Sequence, residues 1–217
     1  MNFSKYFFLF CFLTAAFTAC DTPPDVAGEV TAVKKRDVLP ILGNRDTAEN
    51  GDTIYHHIPD FAFVNQLGDT VTNADLEGKA YVVDFFFISC PTICPTVTQQ
   101  MLRVHDAFKD NDELALLAHT IDPKRDDVTA LKRYADGLEV SAPKWHFLTG
   151  DKDEIYEIAD DYFSVAVENP DAPGGFDHSG RLILIDKNRR VRAFANGTNP
   201  DEVTQFIADI ETLLEKE

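Results

Sequence analysis

The chain has 217 residues, 44% of them hydrophobic and 26% charged, with a formal net charge of −17. The length suits one domain with appendages, and a domain of about 160 residues buries most of its apolar surface without disulfide staples. A surface this acidic repels phosphate backbones, which argues against nucleic-acid binding; it keeps a domain soluble and can steer cations or a basic partner toward it.

Lys5 supplies a short positive start, and Tyr6 to Phe17 form a nearly continuous apolar stretch of twelve residues. That is short for a membrane span and the right length for a signal-peptide core. The stretch ends Phe17-Thr18-Ala19-Cys20, with small residues just before a cysteine. This is the pattern of a bacterial lipoprotein signal, with Phe17 standing where Leu is usual. Residues 1–19 are therefore predicted to be a signal peptide and Cys20 the lipidated first residue of the mature chain. An uncleaved anchor and an ordinary signal peptide are the alternatives. The expected location is extracytoplasmic, on a bacterial membrane held through the N-terminal lipid.

Residues 20–53 are polar and carry Pro23-Pro24 and Lys34-Lys35-Arg36, so they read as a tether. Within them Val38 to Gly43 is apolar enough to lie along a domain as an extended segment. The domain itself is placed at 54–217. Four cysteines occur, at positions 11, 20, 90 and 94. With Cys11 removed and Cys20 lipidated, the domain holds only Cys90 and Cys94. Two thiols without structural spares, in an oxidising compartment, point to working chemistry.

Phe61 to Val64 and Thr70 to Thr72 flank a turn at Gln66-Leu67-Gly68-Asp69, a hairpin signal. Tyr81 to Ile88 (YVVDFFFI) suits a central strand buried on both faces, with Asp84 as the exception to explain. Val97, Met101, Val104 and Phe108 recur at helical spacing after Pro95. Leu114 to Ile121 reads as the next buried strand. Asp126 to Gly137 reads as a helix opened by acidic residues and closed by Gly. Trp145 to Leu148 is a short strand. Asp151 to Asp160 is a helix, with Asp151 and Glu154 at capping-box spacing. Val165 and Val167 mark a further strand. Leu182 to Ile185 and Val191 to Phe194 pair across Lys187-Asn188, and Asn199 to Leu214 closes the chain as an amphipathic helix with Pro200 in its first turn. Strands alternating with helices predict an α/β fold with a parallel core, extended by antiparallel hairpins at both ends and flanked by helices.

Cys90 and Cys94 fall where the central strand gives way to a helix, at the carboxyl end of a strand, where open α/β sheets place their sites. The spacing CPTIC puts both thiols within one turn, and a helix N-terminus favours the thiolate that redox exchange and metal binding both require. Two thiolates suit Cu(I), and zinc nearly as well, but leave either metal short of ligands. A plain disulfide or two inert thiols remain open on spacing alone. His178 lies in Gly174-Gly175-Phe176-Asp177-His178-Ser179-Gly180, a loop running into a strand. By itself a loop histidine carries little weight as a ligand.

Four blocks together resemble the SCO/SenC family. Phe85 to Met101 (FFFISCPTICPTVTQQM) is similar to its copper-site segment. Thr120 to Asp126 (TIDPKRD) is similar to its SxDPxRD segment, Pro143 to Glu154 (PKWHFLTGDKDE) to its proline–strand–LTG stretch, and Phe176 to Asp186 (FDHSGRLILID) to its DH segment. The blocks keep the family order and span about residues 55 to 215. The resemblance implies a thioredoxin-like fold and one copper ion per chain, Cu(I) or Cu(II), held by Cys90, Cys94 and His178. It implies delivery to the dinuclear copper centre of cytochrome c oxidase subunit II, or to another cuproenzyme. It also places Asp122 near the site, shaping ligand orientation or partner contact. Asp177, beside His178, is a candidate to orient its ring.

The remaining histidines read as structural. His56-His57 belong to the linker, His105 to the helix after the site, packed or exposed, and His119 to a buried strand where a hydrogen-bond partner is expected; His146, beside Trp145, shows no role. Met101 is in register with the core, and Phe85-Phe86-Phe87 would shield a metal from water. The competing function is a thiol–disulfide oxidoreductase using Cys90 and Cys94 without metal.

Overall fold

A computed structural model of the chain describes residues 33–216. The predicted signal peptide, Cys20 and the first part of the tether lie outside the described residues.

The elements follow in order: β1 (Arg45–Thr47), β2 (Thr53–Tyr55), β3 (Ala62–Asn65), β4 (Thr70–Thr72), β5 (Ala80–Phe86), α1 (Cys94–Phe108), β6 (Leu114–Thr120), α2 (Val128–Gly137), β7 (Trp145–Thr149), α3 (Lys152–Asp161), β8 (Ala166–Glu168), β9 (Phe176–His178), β10 (Arg181–Ile185), β11 (Val191–Asn196) and α4 (Pro200–Lys216). Seven strands form one sheet in the order β11-β10-β5-β6-β7-β3-β4. Its centre, β5-β6-β7, is parallel, while β10 and β3 run antiparallel against β5 and β7. This is the expected mixed sheet.

Every residue of β5 and β6 is buried, which is why both read as continuous apolar runs rather than alternating ones. Phe86 meets Tyr134 of α2 and Phe147 of β7 on one face, and Phe85 meets His119 and Tyr162 on the other. Met101 is fully buried on α1. Helix starts are set by side chains. Asp127 accepts from the Ala130 amide to open α2. Asp151 accepts from the amides of Asp153 and Glu154 to open α3, satisfying groups that have no partner inside the helix. The reciprocal capping box forms elsewhere, at Thr72 and Asp75.

Residues 34–42 lie along the domain. Gln205 of α4 bonds both the amide and the carbonyl of Lys34, as a strand neighbour would. Arg36 pairs with Asp209, Leu39 is buried, and the Leu42 amide donates to Val191 in β11. Arg192 fastens this strap: its guanidinium donates to the carbonyls of Leu39 and Pro40 and to Asp186, an ion pair buried on both sides. The pair β1–β2 follows, in a stretch where the sequence shows no strand pattern and all but one residue is solvent-exposed.

Among the described residues, Asp84, His119, Trp145 and His178 each bury a polar atom without a partner, and the first two bear most on stability. The His119 ring lies wholly inside, and neither nitrogen has a partner, contrary to the hydrogen bond expected from sequence. Its neighbours are aromatic: it stacks on Phe85 at 5.2 Å and meets Phe63 edge-on at 5.0 Å. None of them offers an acceptor, and burial pushes its pKa down to about 3. Asp84 is equally enclosed, with one carboxylate oxygen unpartnered, and burial pushes its pKa up to about 7.

Two outcomes are expected. Arg192→Ala leaves Asp186 without its counter-charge and the strap carbonyls without donors, and should cost about 3–5 kcal/mol in denaturant melts. Asp84 binds its proton more tightly folded than unfolded, so its contribution is full below about pH 4 and is lost as pH rises through about 7. Asp84→Asn should therefore flatten the fall in Tm between about pH 4 and 7.

Candidate metal centre

The site begins with the end of β5. After Phe86 the chain leaves the sheet, and the Cys90 amide returns to the Phe87 carbonyl at 3.1 Å. Cys94 is the first residue of α1, with Pro95 in the opening turn, where no amide hydrogen is needed. Cys90 therefore sits in the turn before the helix rather than on it. Both cysteines are reduced and buried, at 6% and 3% exposure.

His178 arrives from the far end of the chain. The sequence assigned it to a loop; it is the last residue of β9, paired opposite Ala166 of β8. That short pair holds the ring against the cysteines. Ser179 strengthens it, with its amide donating to Val165 and its hydroxyl 2.9 Å from that of Ser164. The His178 Nε2 lies 3.5 Å from Cys90 Sγ and 3.4 Å from Cys94 Sγ, and the three donor atoms all fall within 4.8 Å of one another. With metal–sulfur and metal–nitrogen bonds of about 2.3 and 2.0 Å, donors around a trigonal ion stand roughly 3.5–4 Å apart. The triangle is thus of metal-binding size. Among the described residues it is the only such cluster of His, Cys, Asp and Glu.

The environment splits the two thiols. Burial pushes Cys90 up, but the Cys94 thiol and the amides of Thr92 and Cys94 aim at its sulfur and bring it below the ordinary thiol value. Burial, and the proton shared with Cys90, hold Cys94 well above it. Burial lowers His178, which keeps the ring neutral and able to ligate, against opposing effects from the Phe85 main chain and the Asp177 charge. Of the phenylalanine run, Phe87 packs edge-on to the imidazole at 5.5 Å, while Phe85 and Phe86 pack into the core. Cys90 and Cys94 also line an uncharged cleft of about 230 Å³ with Ile88, Pro95, Thr98, Gln99, Tyr134 and Leu138.

The other singled-out residues each have partners of their own. Asp177 points away from the ring, because neighbours on a strand face opposite sides; its carboxylate accepts from Asn169 at 2.7 Å. Asp122 is buried at the end of β6 and ion-paired with Arg125. His56 bonds the Asp161 carbonyl, and His105 packs beside Trp145. Sequence reasoning missed Thr92, whose hydroxyl lies 3.6 Å from Cys90 Sγ, and Asp126, which accepts from the Ile88 amide. Asp126 was visible only as an acidic helix opener.

Comparison with known proteins fits this geometry. The SCO1/SenC family model matches residues 49–215. The SCO1 homolog of Bacillus subtilis strain 168 is 29% identical over 163 residues, covering 74% of this chain and 84% of that protein. A SCO1/SenC family lipoprotein from Bacillus anthracis has a similar structure, with TM-score 0.66 and 27% identity over 73% of this chain and 95% of that one. ScoI of Bradyrhizobium japonicum, solved with copper bound, gives TM-score 0.57 and 28% identity over 69% of this chain and 96% of that one. The fold is thioredoxin-like, as the four sequence blocks implied. From the extent of the family match and the structural neighbours alike, the chain belongs to the SCO1/SenC family.

Proposed function

We propose that the chain carries one copper ion on Cys90, Cys94 and His178 and hands it to the dinuclear copper site of cytochrome c oxidase. The convergence of two sulfurs and one imidazole nitrogen within 4.8 Å is the observation that carries this reading. Soft sulfurs with one imidazole suit copper in either oxidation state, and a family member, ScoI of Bradyrhizobium japonicum, has been solved with copper bound. A three-ligand site favours transfer. A fourth donor from an acceptor can bind before any resident donor leaves, whereas the closed four-coordinate site of structural zinc offers no such entry. The uncharged cleft beside the sulfurs is a route for that donor. Loading must displace the Cys94 proton, so apparent affinity weakens with acid.

The alternative reading, a metal-free thiol–disulfide oxidoreductase, draws support from the unequal thiols. A low-pKa Cys90 would attack and a high-pKa Cys94 would resolve the mixed disulfide. We further propose that Cys20 is lipidated and holds the domain on the outer side of a bacterial membrane, delivering to a membrane-bound cuproenzyme. Among the described residues no helix is long and apolar enough to cross a membrane, and the Bacillus anthracis relative is a lipoprotein.

Anaerobic Cu(I) titration against a competing chelator should give one copper per chain. Cys90→Ser and Cys94→Ser should abolish high-affinity binding, and His178→Ala should weaken it by at least about tenfold. Unchanged stoichiometry and affinity in the cysteine variants would refute the site. Full insulin reduction by His178→Ala, with no copper retained by wild type, would favour the oxidoreductase. Mass spectrometry of the membrane-extracted chain should find a diacylglyceryl group on Cys20; an unmodified Cys20 refutes the anchor.

A further inference from the structure

The donors come from two separate stretches of chain, and the distance between these stretches sets the size of the donor triangle. One loop, residues 87–93, carries Cys90 to the start of α1. The other, residues 169–178, carries His178 at the end of β9. Both are fastened to the same short turn after β6, by adjacent side chains of opposite charge.

Asp126 holds the cysteine side. It is 2% exposed, and its Oδ2 accepts from the Ile88 amide at 3.0 Å and from the Thr120 hydroxyl at 2.6 Å. Arg125 holds the histidine side. Its guanidinium donates to the Gly174 carbonyl at 3.4 Å and lies over the Phe176 ring, 5.7 Å from the centroid. Gly174 has φ +82°, and a Cβ there would come within 2.8 Å of the Phe87 ring, so the loop is seated closely against the cysteine side. Phe176 packs on Phe87 at 5.0 Å, and Phe87 on His178 at 5.5 Å.

The turn itself is firm. The Ile121 amide donates to Phe86 of β5, the Asp122 amide to the Thr120 hydroxyl, and the amides of Arg125 and Asp126 to the Asp122 carbonyl. The buried Asp122 carboxylate takes Arg125 Nε and fixes the direction of the guanidinium.

We propose that the turn Asp122–Asp126 is a bracket that sets the spacing of the two donor loops, with Asp126 and Arg125 as positioning residues for the cysteine and histidine sides respectively. The bracket itself stands on the metal-free geometry; its effect on copper rests on the reading of the site given above. The guanidinium is half exposed, so its charge is screened by water and counts for little. Its planar fork, which reaches a carboxylate, a carbonyl and a ring face together, is what lysine cannot supply.

The test uses reduced, metal-free protein first. Residue-resolved hydrogen–deuterium exchange on Arg125→Ala should show faster exchange at 174–180 and none of the change at 88–92. Asp126→Ala should show the reverse. Arg125→Lys should behave as Arg125→Ala, while Asp126→Asn, which keeps an acceptor, should restore wild-type exchange. With Cu(II) bound, Arg125→Ala should weaken affinity about tenfold and reduce the nitrogen coupling in the EPR spectrum while keeping the thiolate-to-copper absorption. Wild-type exchange at 174–180 together with wild-type affinity in Arg125→Ala would overturn the bracket. Should Asp126→Ala fail to fold, the exposed Arg125 variants still decide. If wild type takes up no copper, the copper reading falls, and the exchange pattern alone decides the bracket.

Discussion

Everything at this site depends on keeping two thiolates and an imidazole close together while most water is excluded. Like charges on two sulfurs repel, and burial disfavours both thiolates. The fold answers with the free amides at the start of α1, which aim at Cys90. It leaves Cys94 as the partner that holds its proton until something electropositive replaces it. A soft cation satisfies this arrangement better than a proton does, because it neutralises both sulfurs at once and uses the nitrogen that a proton would not need.

The rest of the domain serves that geometry. β5 lies between β10 and β6, buried along its whole length, so its end is held by paired strands on both sides. The cysteine loop starts from that anchored end, with the Ile88 amide bonded to Asp126. The histidine comes from a less secure place, a strand pair of three residues on each side. Packing on Phe87 and contacts to the Asp122–Asp126 turn compensate. On the proposed reading, such an unequal division would suit a carrier, with the sulfur pair as the firmer side and the imidazole as the donor more easily exchanged.

Much of this was legible in the sequence. The parallel core followed from continuous apolar runs at Tyr81 and Leu114, and the helices from caps such as Asp151. The cysteine pair could be placed at a strand–helix junction by pattern alone. His178 could not. Its approach to the sulfurs depends on β8–β9 pairing over a stretch rich in glycine, where periodicity says little, and only the family-like blocks pointed to it. The strap at residues 34–42 was partly readable from Val38 to Gly43, but its fastening by Arg192 and Gln205 joins residues more than 150 positions apart. His119 misled because a buried polar side chain is normally bonded, and nothing in the local sequence shows that its neighbours across the sheet are Phe63 and Phe85. Asp84 is a similar case. Its place inside a continuous apolar run marks it as buried, but not that one of its oxygens would lack a partner.

The central claim is that three named donors share one ion. Copper K-edge X-ray absorption on the anaerobically loaded Cu(I) domain tests it most directly. The account predicts a shell of two sulfurs and one imidazole nitrogen, with the imidazole scattering lost in His178→Ala. A shell of sulfur alone in wild type, or of nitrogen and oxygen without sulfur, would contradict it.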